Sequence, residues 1–151
     1  RYSLSQNGES FVIRVKNTRL MKKATILVTV ARVLLGAIFT FAGLNGLILL
    51  LGIAPVGTTS LHVPLMQVLV STPFVFIPLK MLELLAGMLL LANRFVPLAL
   101  LALIPVGVNI FLFHLFADQA LLINGIVVLL LLGVLLYHYR SCYAGLLISK
   151  L

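Results

Sequence analysis

Between Ala24 and Ile53 the chain runs for thirty residues with a single charge, Arg32. At about 1.5 Å of rise per residue, a helix of that length more than crosses a hydrocarbon layer of roughly 30 Å. Few folds accept such a run, because in lipid every backbone N–H and C=O must find its partner inside protein, and a helix supplies those partners within its own segment. Three further runs of about spanning length follow. The sequence therefore predicts an all-α, integral membrane four-helix bundle with helices near 24–53, 73–92, 95–117 and 119–139. Composition agrees, since 62% of residues are hydrophobic and 9% charged, against about a quarter charged in soluble domains. A disordered chain and an ordinary cytosolic enzyme are excluded, and 151 residues suit one domain. A cleaved signal peptide is a poorer account of the first run, because signal cores stop after about 7 to 15 residues.

The net charge of +8 is a matter of placement: Arg1, Arg14, Lys16, Arg19, Lys22 and Lys23 all precede the first apolar run. No aromatic residues interleave with a basic stripe, which excludes a nucleic-acid partner of the single-strand type. Residues 1–20 mix Ser, Gln, Asn, Gly and Glu with these cations and precede Met21-Lys22-Lys23, a natural start. They are expected to be a non-core N-terminal extension, disordered or not native, with alternation over Phe11–Lys16 that suits a short strand.

Between the first two spans, residues 52–60 gather turn formers, and Leu61–Val70 is apolar but too short to cross, so it is expected to lie in the interface or re-enter. Thr72-Pro73 reads as an N-cap followed by proline in the first turn, with Pro78 inside the helix. Asn93-Arg94 breaks helix two from helix three, and Asp118 separates three from four. Four spans put both ends on one side. Lys22, Lys23, Arg94, Arg140 and Lys150 fall there and none in the opposite loops, so both termini are expected in the cytoplasm. Tyr137-His138-Tyr139 beside Arg140 makes an interfacial aromatic belt.

Charged residues inside spans cost roughly 2.5–3.5 kcal/mol each on a lipid face, so Arg32, Lys80 and Glu83 must face the bundle interior or water. Arg32, Gly36, Thr40 and Gly43 share one stripe of helix one; Lys80, Glu83 and Gly87 share one of helix two. Counting rise from the cytoplasmic ends places Arg32 about 14 Å above Lys23 and Glu83 about 17 Å above Arg94, a common depth that predicts an ion pair. Asn109 and Asn124 reach the level of Lys80. Arg32, Lys80, Glu83, Asn109 and Asn124 thus form a candidate intramembrane polar cluster, with two cations against one carboxylate. Interhelical glue and a functional pocket both remain open; the surplus cation would suit an anionic ligand, a quinone oxygen or a lipid phosphate.

His114 is a secondary candidate, on the outer side with His62, while His138 lies roughly 30 Å away by rise. That separation excludes His114 with His138 as ligands to one haem iron; His62 and His114 are on one side and could meet, but a lone histidine at a membrane interface is more often simply wetted, and no metal site is expected. The single cysteine, Cys142, excludes disulfides and multi-cysteine metal centres. No nucleophile with its base, phosphate loop or carboxylate pair is present, so no cofactor motif and no catalytic residue can be named from the chain.

The stretch Lys80–Phe116, K-M-L-E-L-L-A-G-M-L-L-L-A-N-R-F-V-P-L-A-L-L-A-L-I-P-V-G-V-N-I-F-L-F-H-L-F, resembles the DoxX family of small bacterial four-helix membrane proteins. Arg32–Gly46, R-V-L-L-G-A-I-F-T-F-A-G-L-N-G, is similar to that family's first helix. The resemblance implies that 21–151 is a DoxX-like four-helix domain in a bacterial inner membrane. It also implies a membrane subunit or organiser for a redox partner protein, as some relatives serve a thiosulfate-to-quinone oxidoreductase or redox defence, with quinone as the implied small molecule. The competing readings are a small-molecule carrier or channel built on the polar cluster, and a purely structural membrane protein. The lipid bilayer is the one partner the residues themselves require; a homo-oligomer is compatible with the bundle, and the residues set no oligomeric state.

Overall fold

The structure is a computed structural model that describes the backbone of residues 3–56 and 60–143 and the side chains of 25–56 and 60–143. Its helices are α1 (Ser3–Leu50), α2 (Pro64–Val70), α3 (Pro73–Leu91), α4 (Val96–Phe116), α5 (Leu122–His138) and α6 (Arg140–Tyr143), with a single 3-10 turn over Gln119–Leu121 leading into α5. The described residues contain no strand. Two compact units divide the chain, Arg1–Val30 and Ala31–Leu151.

The first unit is helical throughout its described residues, so Phe11–Lys16 is helix where alternation suggested a strand. A strand needs a second strand to satisfy its backbone, whereas a helix closes its hydrogen bonds locally. Within this unit Thr29 Oγ1 donates back to the Thr25 carbonyl at 2.9 Å.

Four segments are long and apolar enough to cross a membrane: Thr25–Leu50, Pro73–Leu91, Val96–Phe116 and Gln119–His138. Large apolar side chains cover their outward faces, Phe74 and Phe116 being 81% and 78% exposed. Surfaces of this kind are stable only against lipid, and the chain is a multi-pass integral membrane protein.

Helix ends follow from local chemistry. Gly52, at φ 76°, closes α1: its N–H donates to Leu49 O, and Ile53 N–H to Ile48 O. The same paired pattern ends α3, where Asn93 at φ 54° donates to Leu90 O and Arg94 to Leu89 O. Both are Schellman closures, which need a left-handed residue just past the helix and favour Gly or Asn there. Thr72 precedes Pro73 as expected, but its hydroxyl donates backwards to Val68 O at 2.7 Å and does not cap α3. The apolar run after Leu61 becomes the short α2, with Pro64 in its first turn. Asn45 pins the preceding loop to α1, exchanging two hydrogen bonds with the backbone of Val56 at 2.7 and 3.0 Å.

The core of the second unit is a seam of small and aliphatic residues. Leu35 and Phe39 from α1, Phe76 and Leu90 from α3, Leu100 and Leu103 from α4, and Leu135 from α5 are fully buried. Glycines set the closest approaches. A Cβ at Gly43 would lie 2.6 Å from Leu84 N, one at Gly87 2.5 Å from Thr40 N, and one at Gly125 3.0 Å from Phe111 Cα. In each case the backbone of one helix occupies the space that a side chain would fill on the other.

Candidate functional site

The α1–α3 seam carries the charges that lie within the spans, and its glycines fix their register. Gly36 lies against Leu90, Gly87 against Thr40, Gly43 against Leu84 and Gly46 against the Lys80 stem. Numbers rise along α1 as they fall along α3, so the helices are antiparallel, and the level of Glu83 falls near position 44. Arg32 is twelve residues away from that level, about 18 Å along the helix.

Lys80 and Glu83, one turn apart on α3, pair at 2.8 Å between Nζ and Oε2. Both are shielded, with side chains 12% and 3% exposed. The Lys80 stem lies along Gly46, where a Cβ would come within 2.7 Å of its Cγ, and its ammonium stands 5.4 Å from the Phe76 ring centroid. Glycine on α1 therefore makes room for a lysine that would otherwise point into lipid, and the carboxylate and ring face answer its charge.

Arg32 does not pair with Glu83. Its Nη1 donates to the Leu90 carbonyl, within the closure that ends α3 and also accepts from Asn93 N–H. The last carbonyls of a helix lack intrahelical donors and carry the negative end of its dipole, so a guanidinium there satisfies both. The surplus cation expected from the sequence is thus met by backbone.

Asn109 and Asn124 do not join these residues. Both are exposed on the bundle, and neither makes a side-chain hydrogen bond among the described residues. The five-residue polar cluster is replaced by one intrahelical ion pair and one helix cap. Rise gives a residue's height along its helix, but whether it points inward depends on the rotation of each helix, which close glycine contacts and the apolar seam determine. His114 sits on the α4–α5 seam, its ring edge-on to Phe113 at 5.5 Å and in reach of the Gly125 position at 3.5 Å. Its buried Nδ1 has no hydrogen-bond partner.

A second polar group escaped the sequence reading. Asp118, which separates two apolar spans in the sequence, is buried at 4% exposure and accepts a hydrogen bond from the buried Ser60 hydroxyl on its Oδ2. Its Oδ1 lies 4.0 Å from Nε2 of the exposed His62. This ties the segment before α2 to the α4–α5 connection. The available signal was that Asp118 alone among the acidic residues stands between two apolar spans, where an unpartnered carboxylate would be costly.

At the opposite end Tyr143 Oη donates to Pro97 O at 3.0 Å, fastening α6 to the start of α4. Burial pushes this phenol above its ordinary value of 10.0, and the neighbouring Cys142 and Tyr139 push the same way. Among the described residues no three His, Cys, Asp or Glu side chains converge as a metal ion would require. Comparison with known protein families, curated proteins and solved structures finds no match to this chain.

Proposed function

We propose that the chain is a membrane subunit or organiser of the DoxX type, which holds a redox partner protein at the bilayer and does not move a solute through it. The observation that carries this reading is that the spans answer their own charges: Lys80 with Glu83, and Arg32 with the Leu90 carbonyl. Around them the buried faces are Leu, Val, Ala, Phe and Gly. A carrier or channel needs polar groups lining a route to both faces, and Asn109 and Asn124, which would extend one, lie on the outside.

The redox part of the proposal rests on the resemblance over Lys80–Phe116 and Arg32–Gly46. Quinone enters it as the partner's electron acceptor, not as a ligand of the five-residue cluster. A bacterial inner membrane belongs to the same resemblance, and the placement of both termini in the cytoplasm is supported by the cations flanking the spans.

The test is affinity purification of the full chain from mild detergent, with identification of bound proteins and extraction of quinones. Stoichiometric recovery of a flavin, haem or thiol-redox protein supports the proposal. Recovery of the chain alone from cross-linked membranes would leave a structural protein, and substrate uptake by vesicles holding the purified chain would make it a carrier. A reporter fused after Leu151 tests the orientation; activity of a periplasm-only reporter there would overturn it.

A further inference from the structure

The bundle end that carries the α3–α4 turn and α6 exposes cations with no acidic partner. Arg94 and Arg140 are both exposed, and neither forms an ion pair among the described residues. The two described carboxylates are committed elsewhere: Glu83 to Lys80, and Asp118 beyond the far end of α4, a 21-residue helix about 30 Å long. The bond from Tyr143 Oη to Pro97 O holds the backbone segments that carry the two arginines at the same end of the bundle, Arg94 lying three residues before Pro97 and Arg140 three before Tyr143.

Aromatic side chains flank both cations. The Arg140 guanidinium stacks 4.5 Å from the Tyr137 ring centroid, and that ring is itself 69% exposed. Phe95, next to Arg94, is 70% exposed. It is held outward by a turn in which both Asn93 and Phe95 take positive φ, 54° and 51°. An acidic soluble protein would match the cations but not exposed Phe and Tyr rings at the ends of membrane helices. The boundary of a bilayer matches both, with acyl chains for the rings and phosphates for the guanidiniums.

We propose that Arg94 and Arg140, flanked by Phe95 and Tyr137, form a binding site for the headgroup of an anionic phospholipid. The site is independent of the redox reading and of which face is cytoplasmic.

Native mass spectrometry of the full chain, equilibrated in zwitterionic detergent with equal phosphatidylglycerol and phosphatidylcholine, tests it. The wild type should retain one phosphatidylglycerol at collision energies that strip phosphatidylcholine. Arg94→Gln with Arg140→Gln should lower that retention about twenty-five-fold, each cation near a lipid surface being worth about a factor of five. The thermal midpoint without added lipid should stay unchanged. Retention by the double variant within about twofold of wild type would overturn the site. Should the double variant be destabilised, the wild-type comparison decides alone, and equal retention of the two lipids overturns the proposal.

Discussion

Arg32 on α1 donates its guanidinium to the Leu90 carbonyl, the acceptor that also receives Asn93 N–H where α3 closes. One side chain thereby joins two helices and neutralises a helix end. The carboxylate expected to receive it, Glu83, is held by Lys80 at 2.8 Å.

This arrangement predicts where energetic coupling lies. In double-mutant cycles on detergent stability, Arg32→Leu and Glu83→Gln should add to within about 0.5 kcal/mol, as sites without shared partners do. Arg32→Leu alone should cost about 0.3–2 kcal/mol, the range for a cation at a helix C-terminus. Glu83→Gln alone should cost about 3–5 kcal/mol, because it leaves a buried ammonium unanswered, and Lys80→Met with Glu83→Leu should recover most of that loss. Coupling above about 1 kcal/mol between Arg32 and Glu83 would contradict the assignment.

The α1–α3 seam should tolerate no side chain at Gly87, where a Cβ would meet Thr40 N at 2.5 Å and Thr40 Oγ1 at 2.6 Å. Gly87→Val is expected to force the helices apart and lose at least about 1–3 kcal/mol. Gly133, with nothing within 4 Å of its Cβ position, serves as the control. Gly133→Ala should be neutral or raise the thermal midpoint, since alanine favours helix by about 0.5–1 kcal/mol.

Hydrogen exchange should reveal the tie between Ser60 and Asp118. Asp118→Ala removes the acceptor of a buried hydroxyl, at a cost of about 1–3 kcal/mol. Exchange should accelerate at residues 60–63 and 119–121 and stay slow at the α1–α3 seam. Uniform acceleration would mean that the tie does not act locally.

Alkali should release α6. Burial raises the Tyr143 phenol above 10.0, so its contribution is complete below pH 10 and is lost as pH rises through the folded value. Cysteine labelling at the exposed Cys142, compared between wild type and Tyr143→Phe, reads this directly. The Phe variant lacks the donor to Pro97 at every pH and should label faster near neutrality, the two proteins converging above pH 10 after correction for thiol ionisation. A constant ratio across that range would refute the latch.

The order of residues is enough to settle the solvent, the number of spans and most of the places where they end. Long charge-free runs have one solution in lipid, and the turn residues Gly52, Asn93 and Pro73 act through their own backbone, so their effect is local and can be read in order. It also located the small-residue stripes containing Gly36, Gly43 and Gly87 that bring α1 and α3 together. Which charges meet is settled by packing across the bundle. Counting rise from Lys23 and Arg94 as though both marked one level places Arg32 beside Glu83, whereas the glycine contacts set a register about 18 Å different. Helix rotation turned Asn109 and Asn124 outward, and chain closure buried Asp118 against Ser60, 58 positions away. Register, rotation and long-range closure depend on how whole helix surfaces fit, and a residue's place in the sequence carries its height along a helix but not the direction it faces.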